Sequence, residues 1–240
     1  MIDEAETFDG TWPFAPFFFG GCGFKQHYVI EGGGDPILLL HGEPTWGYLY
    51  RRFISPLARH GTVVVPDHMG FGKSETPQDR SYSIRDHVDN LEGLVDHLAM
   101  EDITIVGQDW GGPIGTAYAL RHPERVKRLV LMNTGPPGAA PAGVKTVVEH
   151  DWYQWIHGDT DTDPVLANLG STILSLMKRI GFERTDHVDE TWVRAYASPS
   201  PTAAECKGAV AFPQCIANHE TMETMLEHIA NLPELAAKPA

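Results

Sequence analysis

The run Gly107-Gln108-Asp109-Trp110-Gly111-Gly112 lies between an apolar segment, Ile103 to Val106, and a helical segment, Gly111 to Arg121. A strand that passes directly into a helix must turn sharply, and glycines on both sides let the two backbones pack closely. In the G-x-S-x-G arrangement such a turn lifts a nucleophilic serine clear of the sheet. Here the apex residue is Asp109, so the predicted nucleophile is a carboxylate. A plain strand-to-helix turn capped by Asp109 would use the same residue types, but a second segment favours the nucleophile. His41-Gly42-Glu43-Pro44 follows the apolar run Pro36 to Leu40. Beside a turn of this kind, that loop supplies one backbone N–H of an oxyanion hole, and the residue after the nucleophile supplies the other. The two donors are then the amides of Glu43 and Trp110, each at the C-terminal end of a strand, where ligands bind in open α/β sheets.

The surrounding pattern gives the frame. Phe24 to Glu31 reads as a strand closed by three glycines, and Pro36 to Leu40, Thr62 to Val65, Ile103 to Val106 and Arg128 to Met132 are apolar runs typical of strands buried on both faces. Helical spacing joins Leu49, Phe53 and Leu57 within Gly47 to Arg59, and joins Ile84, Val88, Leu91, Val95 and Leu98 behind a Ser83 N-cap. Alternating strands and helices predict an α/β fold with a doubly wound, mostly parallel sheet. From Asn133 the texture changes: Thr134 to Gly143 is rich in Gly, Pro and Ala, and the segments Val165 to Ile180 and Val188 to Ala197 are helical. The expected organisation is a core over 1–133, an inserted helical cap over 134–215, and a return to the core over 216–240, with His219 to Ala230 as a helix.

Bulk properties narrow the partners. A net charge of −14 excludes nucleic acid as the natural ligand, because phosphate binding needs clustered Lys and Arg. The acidic start of the chain lacks a signal peptide's basic region, and the Phe17-Phe18-Phe19 run is too short to span a membrane. Cys22, Cys206 and Cys215 have no metal-ligand spacing, and their odd number fits reduced thiols in the cytoplasm. No metal or organic cofactor is expected, the substrate is a small molecule, and the oligomeric state is left open.

The segment from His41 through Arg51, together with Gly70-Phe71-Gly72-Lys73-Ser74 and the Asp109-Trp110 turn, resembles the haloalkane dehalogenases of the α/β-hydrolase superfamily. Ala195-Tyr196-Ala197 and Ala211-Phe212-Pro213 are similar to the cap of that family, although Ser200 stands where the family usually has Phe. The resemblance implies that a haloalkane and water become an alcohol and a halide. Asp109, ionised near neutral pH without help, would form an alkyl ester, and water would then attack its carboxyl carbon. It implies halide binding by the Trp110 indole, a donor with no acidic proton. The second donor is expected from the cap, since Glu43 replaces the Asn of other branches, and Trp155 fits that place. Trp152, Pro113 and Phe212 would line the pocket. An epoxide hydrolase, using Tyr153 and Tyr196 as acids, is a rival reading; so are a β-lactone decarboxylase and a non-catalytic module.

The general base and its acid partner have no counterpart. In this family the acid follows one of two strands and the His follows the last one. Residues 134–148 contain no acidic residue, and a later strand would start where Lys238-Pro239-Ala240 stands. His41 is expected to fix its loop, while His60, His68, His87, His97 and His122 fall on predicted loops or helix surfaces. His219 and His228 are the remaining candidates for the base. The expectation is that a segment of about 60 residues is missing from a domain of typical size. The 240 residues alone would then fold poorly or stop after one alkylation.

Overall fold

The computed structural model describes residues 2–134, 186–215 and 219–238. Six strands are present among them: β1 (Phe17–Phe19), β2 (Gln26–Gly32), β3 (Pro36–Leu40), β4 (Thr62–Pro66), β5 (Ile103–Gln108) and β6 (Val126–Met132). They form one sheet in the order β1-β2-β4-β3-β5-β6. The pairs β4–β3, β3–β5 and β5–β6 are parallel, and the β1–β2 and β2–β4 pairs are antiparallel. The central strands are continuous aliphatic runs because both faces are covered: Leu38, Leu39, Leu40, Val63, Val64 and Val65 are all buried. Register sets Leu40 opposite Gly107 and Gly107 opposite Leu131. The loops that leave β3 and β5 therefore emerge side by side.

The helices are α1 (Ile54–Leu57), α2 (Ile84–His97), α3 (Gly111–Arg121), α4 (Glu190–Ala197), α5 (Lys207–Cys215), α6 (His219–Leu226) and α7 (Leu232–Ala236). Ser83 caps α2 in a capping box with Asp86, satisfying backbone donors that a helix start leaves open. Its inward stripe of Ile84, Val88, Leu91 and Val95 is buried, as the spacing predicts. Small residues let α3 lie close on the sheet: a Cβ on Gly115 would come within 2.9 Å of the Ile105 side chain.

Three expectations need correction. The predicted helix over Gly47 to Arg59 is a 3-10 turn at Gly47–Tyr50 followed by the four-residue α1, because Pro56 cannot donate and clashes with the preceding turn. The Phe17–Phe19 run is an edge strand against β2, too short for periodicity to reveal. Third, the helix expected over His219 to Ala230 stops at Leu226, and a separate 3-10 turn spans Ile229–Asn231.

The N-terminal segment packs Phe8 and Trp12 against Trp46 and Tyr48. Asp9 pairs with Arg194 and accepts from Thr191 of α4, and Trp46 Nε1 donates to the Ala195 carbonyl. Strand β6 lies at the edge of the sheet among the described residues, with Val130 and Leu131 exposed. The expected segment Val165 to Ile180 lies outside the described residues.

Candidate active site

Asp109 occupies the turn between β5 and α3 with a φ of 50°, a left-handed conformation that Asp tolerates better than most residues. The turn is possible only because its neighbours lack side chains. A Cβ on Gly107 would meet the backbone of Gly111, and a Cβ on Gly111 would collide with the Leu40 carbonyl. Gly42 is packed against the Asp109 carboxyl, so any side chain there would displace the carboxylate. The peptide is pinned from behind: Gly112 N and Thr134 Oγ1 both donate to the Asp109 carbonyl, at 2.9 and 2.8 Å.

The predicted oxyanion donors converge. Glu43 N donates to Asp109 Oδ1 at 2.8 Å, and the Trp110 amide also bonds the carboxyl. An oxygen held in this way is placed to carry negative charge if water adds to the carboxyl carbon. Burial pushes the Asp109 carboxyl above its usual range, while the Glu43 and Trp110 amides counteract that. Burial also raises Glu43 well above the usual range, and the charge of Asp109 adds to it. Glu43 Oε1 is buried with no hydrogen-bond partner. Two carboxyls in one water-poor site do not both ionise readily. Of the two, Asp109 holds the amide donors that favour its charged form.

The loop carrying Glu43 is locked by histidines. His41 Nδ1 lies 2.9 Å from the Gly42 carbonyl, and the His68 amide donates to His41 Nε2 at 3.0 Å. His68 Nε2 returns a contact of 2.9 Å to the His41 carbonyl. His41 therefore fixes its loop, but His68 and His87 are buried rather than on a surface. His87 sits one residue before Val88 in the inward stripe of α2, a signal that counting only aliphatic residues overlooks. Asp67, at the end of β4, was also missed. It is sealed from solvent with His27 at 2.8 Å and accepts from Gly47 N and Lys73 N, both at 2.8 Å. This pair ties two loops together beneath the site.

Trp110 is buried and stacks on Phe212 at 5.2 Å and 14°, so two predicted pocket residues meet. Pro113 lies in the first turn of α3, half-buried. Trp152, Tyr153 and Trp155 lie outside the described residues. Tyr196 is buried against Tyr48 and Trp192, and Ser200 is buried with its hydroxyl toward the Glu205 carbonyl at 3.2 Å. No histidine among the described residues hydrogen-bonds to Asp109. The His219 ring is 87% exposed and pairs with Glu223. The described residues hold no cluster of His, Cys, Asp or Glu able to bind a metal, and no described helix is long and apolar enough to cross a membrane.

A strand-borne carboxylate on a glycine-flanked turn, facing a loop amide, defines a site of the α/β-hydrolase kind. The sequence profile of the alpha/beta hydrolase fold matches residues 35–214, and the chain belongs to that family. Among similar proteins is a cis-3-alkyl-4-alkyloxetan-2-one decarboxylase of Shewanella oneidensis, 36% identical over 199 residues, covering 79% of this chain and 60% of the relative. A haloalkane dehalogenase of Mycolicibacterium paratuberculosis is 38% identical over 197 residues, covering 80% and 60%. Haloalkane dehalogenase 2 of Mycobacterium tuberculosis is 45% identical over 123 residues, covering 51% and 43%. The chain thus spans about three fifths or less of the length of these relatives. A solved haloalkane dehalogenase from Paraglaciecola agarilytica superposes with a TM-score of 0.74 at 28% identity, covering 92% of this chain and 73% of that one.

Proposed function

We propose that this chain carries the nucleophilic machinery of a haloalkane dehalogenase. The observation that supports it most is the Asp109 carboxylate on its strained turn, one oxygen held by the Glu43 amide at 2.8 Å. Asp109 Oδ2 attacks the halogen-bearing carbon; the carbon–halogen bond breaks and the halide leaves with the electron pair. The product is an alkyl ester of Asp109. Trp110, with Trp155 as partner, binds the departing halide, and Pro113, Trp152 and Phe212 line the pocket. Water then adds to the carboxyl carbon, the oxyanion forms on the oxygen already facing the Glu43 amide, with the Trp110 amide as the second donor, and the alcohol is released. Cys22, Cys206 and Cys215, none of them in a disulfide, suit the reducing cytoplasm.

No described histidine reaches the ester, so its hydrolysis is the step these residues leave without a base. The test is mass spectrometry after incubation with a bromoalkane. The peptide containing Asp109 gains the alkyl group, and Asp109→Asn gains nothing. A folded protein labelled elsewhere, or never, sinks the reading. A second reading, decarboxylation of a β-lactone, draws support from the Shewanella relative matched over 199 residues. An oxetan-2-one releasing carbon dioxide while haloalkanes leave Asp109 unlabelled would establish it instead.

A further inference from the structure

The Trp110 indole is placed by its ring contact with Phe212, and Phe212 is in turn boxed in. The Phe212 ring is fully buried, stacked on Phe71 at 5.1 Å and 24°, and touched edgewise by His68 at 6.2 Å. The tightest of its ring contacts is His87, at 4.6 Å and 41°. His87 comes from α2, Phe212 from α5 and Trp110 from the β5–α3 turn, so three separate elements meet ring on ring. Neither ring nitrogen of the buried His87 has a hydrogen-bond partner. A buried donor and acceptor left unpaired destabilise the fold, and a hydrocarbon ring would avoid that. The structure therefore carries a stability cost at a position whose main contact is the ring behind the Trp110 indole, and local rules are most often broken at functional positions.

We infer that His87 is a positioning residue for the halide site, acting through Phe212 to hold the Trp110 indole in its binding orientation. This rests on the reading of Trp110 as a halide donor. A preorganised donor works only when its N–H is already aimed at the charge, and a ring free to tilt loses that aim.

The test uses the whole chain and bromide. Bromide quenching of tryptophan fluorescence gives a dissociation constant, and the Trp110 indole N–H resonance, assigned by its loss in Trp110→Phe, reports ring position without halide. In His87→Leu, which keeps volume but removes the ring, bromide binding is expected to weaken by about threefold to tenfold, the factor one aromatic pair contributes, and the resonance to shift. His87→Phe restores both, although it carries no ring nitrogen. Combined with Phe212→Leu, His87→Leu adds little further, as expected when one residue acts through the other. Should His87→Leu bind bromide within twofold of the parent with the indole resonance in place, the inference is overturned, whatever happens to stability. If the parent chain binds no bromide at Trp110, the halide reading fails. The resonance then still decides the ring contact: no shift overturns the positioning role as well.

Discussion

At the scale of single residues, the site sets two carboxyls at odds with the fold. Asp109 and Glu43 are both raised by burial. A carboxyl raised in the folded state binds its proton more tightly there than in the unfolded chain, so its contribution to stability is lost as pH rises through the unfolded value near 4 toward the folded one. At neutral pH the ionised Asp109 is therefore a net cost. Asp109→Asn, which tolerates the same left-handed φ, is expected to raise the melting temperature by ~2–4 °C, about 1 kcal/mol, while abolishing alkylation. A lowered melting temperature would show that the carboxylate is structurally required. The same shift predicts that Asp109 alkylation, followed by mass spectrometry from pH 8 downward, falls off above pH 4. Trp110→Phe should remove saturable halide quenching and slow alkylation on the order of 10²-fold, as loss of one preorganised donor does.

At the scale of elements, close backbone approach does what side chains cannot. Gly42 faces the Asp109 carboxyl and Gly111 faces the Leu40 carbonyl. These contacts have different consequences. Gly42→Ala presses on the Asp109 side chain, whose carboxyl can rotate although its Cβ is fixed to the turn, so it should suppress alkylation at a smaller cost in stability than a backbone clash. Gly111→Ala presses on strand backbone that cannot move, so it should destabilise by about 1–3 kcal/mol, the range for overpacking. Chemical denaturation together with Asp109 labelling separates the two; equal loss of stability in both would refute the distinction. The edge strand β6 exposes Val130 and Leu131. An exposed apolar edge invites pairing with other chains, so Leu131→Lys should reduce concentration-dependent aggregation measured by light scattering.

For the whole molecule, the buried imidazoles dominate the acid response. Burial lowers His41, His68 and His87, the last to about 3. A histidine depressed in the folded state stays neutral there while the unfolded chain takes up a proton below about pH 6.5. Stability is then fully present above that value and is lost as pH falls toward the folded values. Each histidine contributes at most about 1.4 kcal/mol per pH unit, and the raised carboxyls oppose this in part. The melting temperature should decline from pH 6.5 to 4, and His87→Phe should make that decline shallower. An unchanged slope in His87→Phe would mean that His87 does not remain neutral in the folded state.

The sequence by itself determined the interior strands, the Asp109 turn and the loop that brings the Glu43 amide to it. Leu38 to Leu40, Val63 to Val65 and Ile103 to Val106 can only be interior strands. Gly107-Gln108-Asp109-Trp110-Gly111 and His41-Gly42-Glu43 are local motifs whose geometry is set within a few residues of backbone. What it left open depends on contacts between segments distant in the chain. The burial of His68 and His87, the Asp67–His27 tie and the stacking of Phe212 on Trp110 join residues from 40 to 144 positions apart. A polar residue shows its burial only through what packs on it, so His87 reads as a surface residue in one dimension and Asp67 gives no signal there. The raised Glu43 carboxyl is likewise set by tertiary structure, because two strands deliver two carboxyls into one corner.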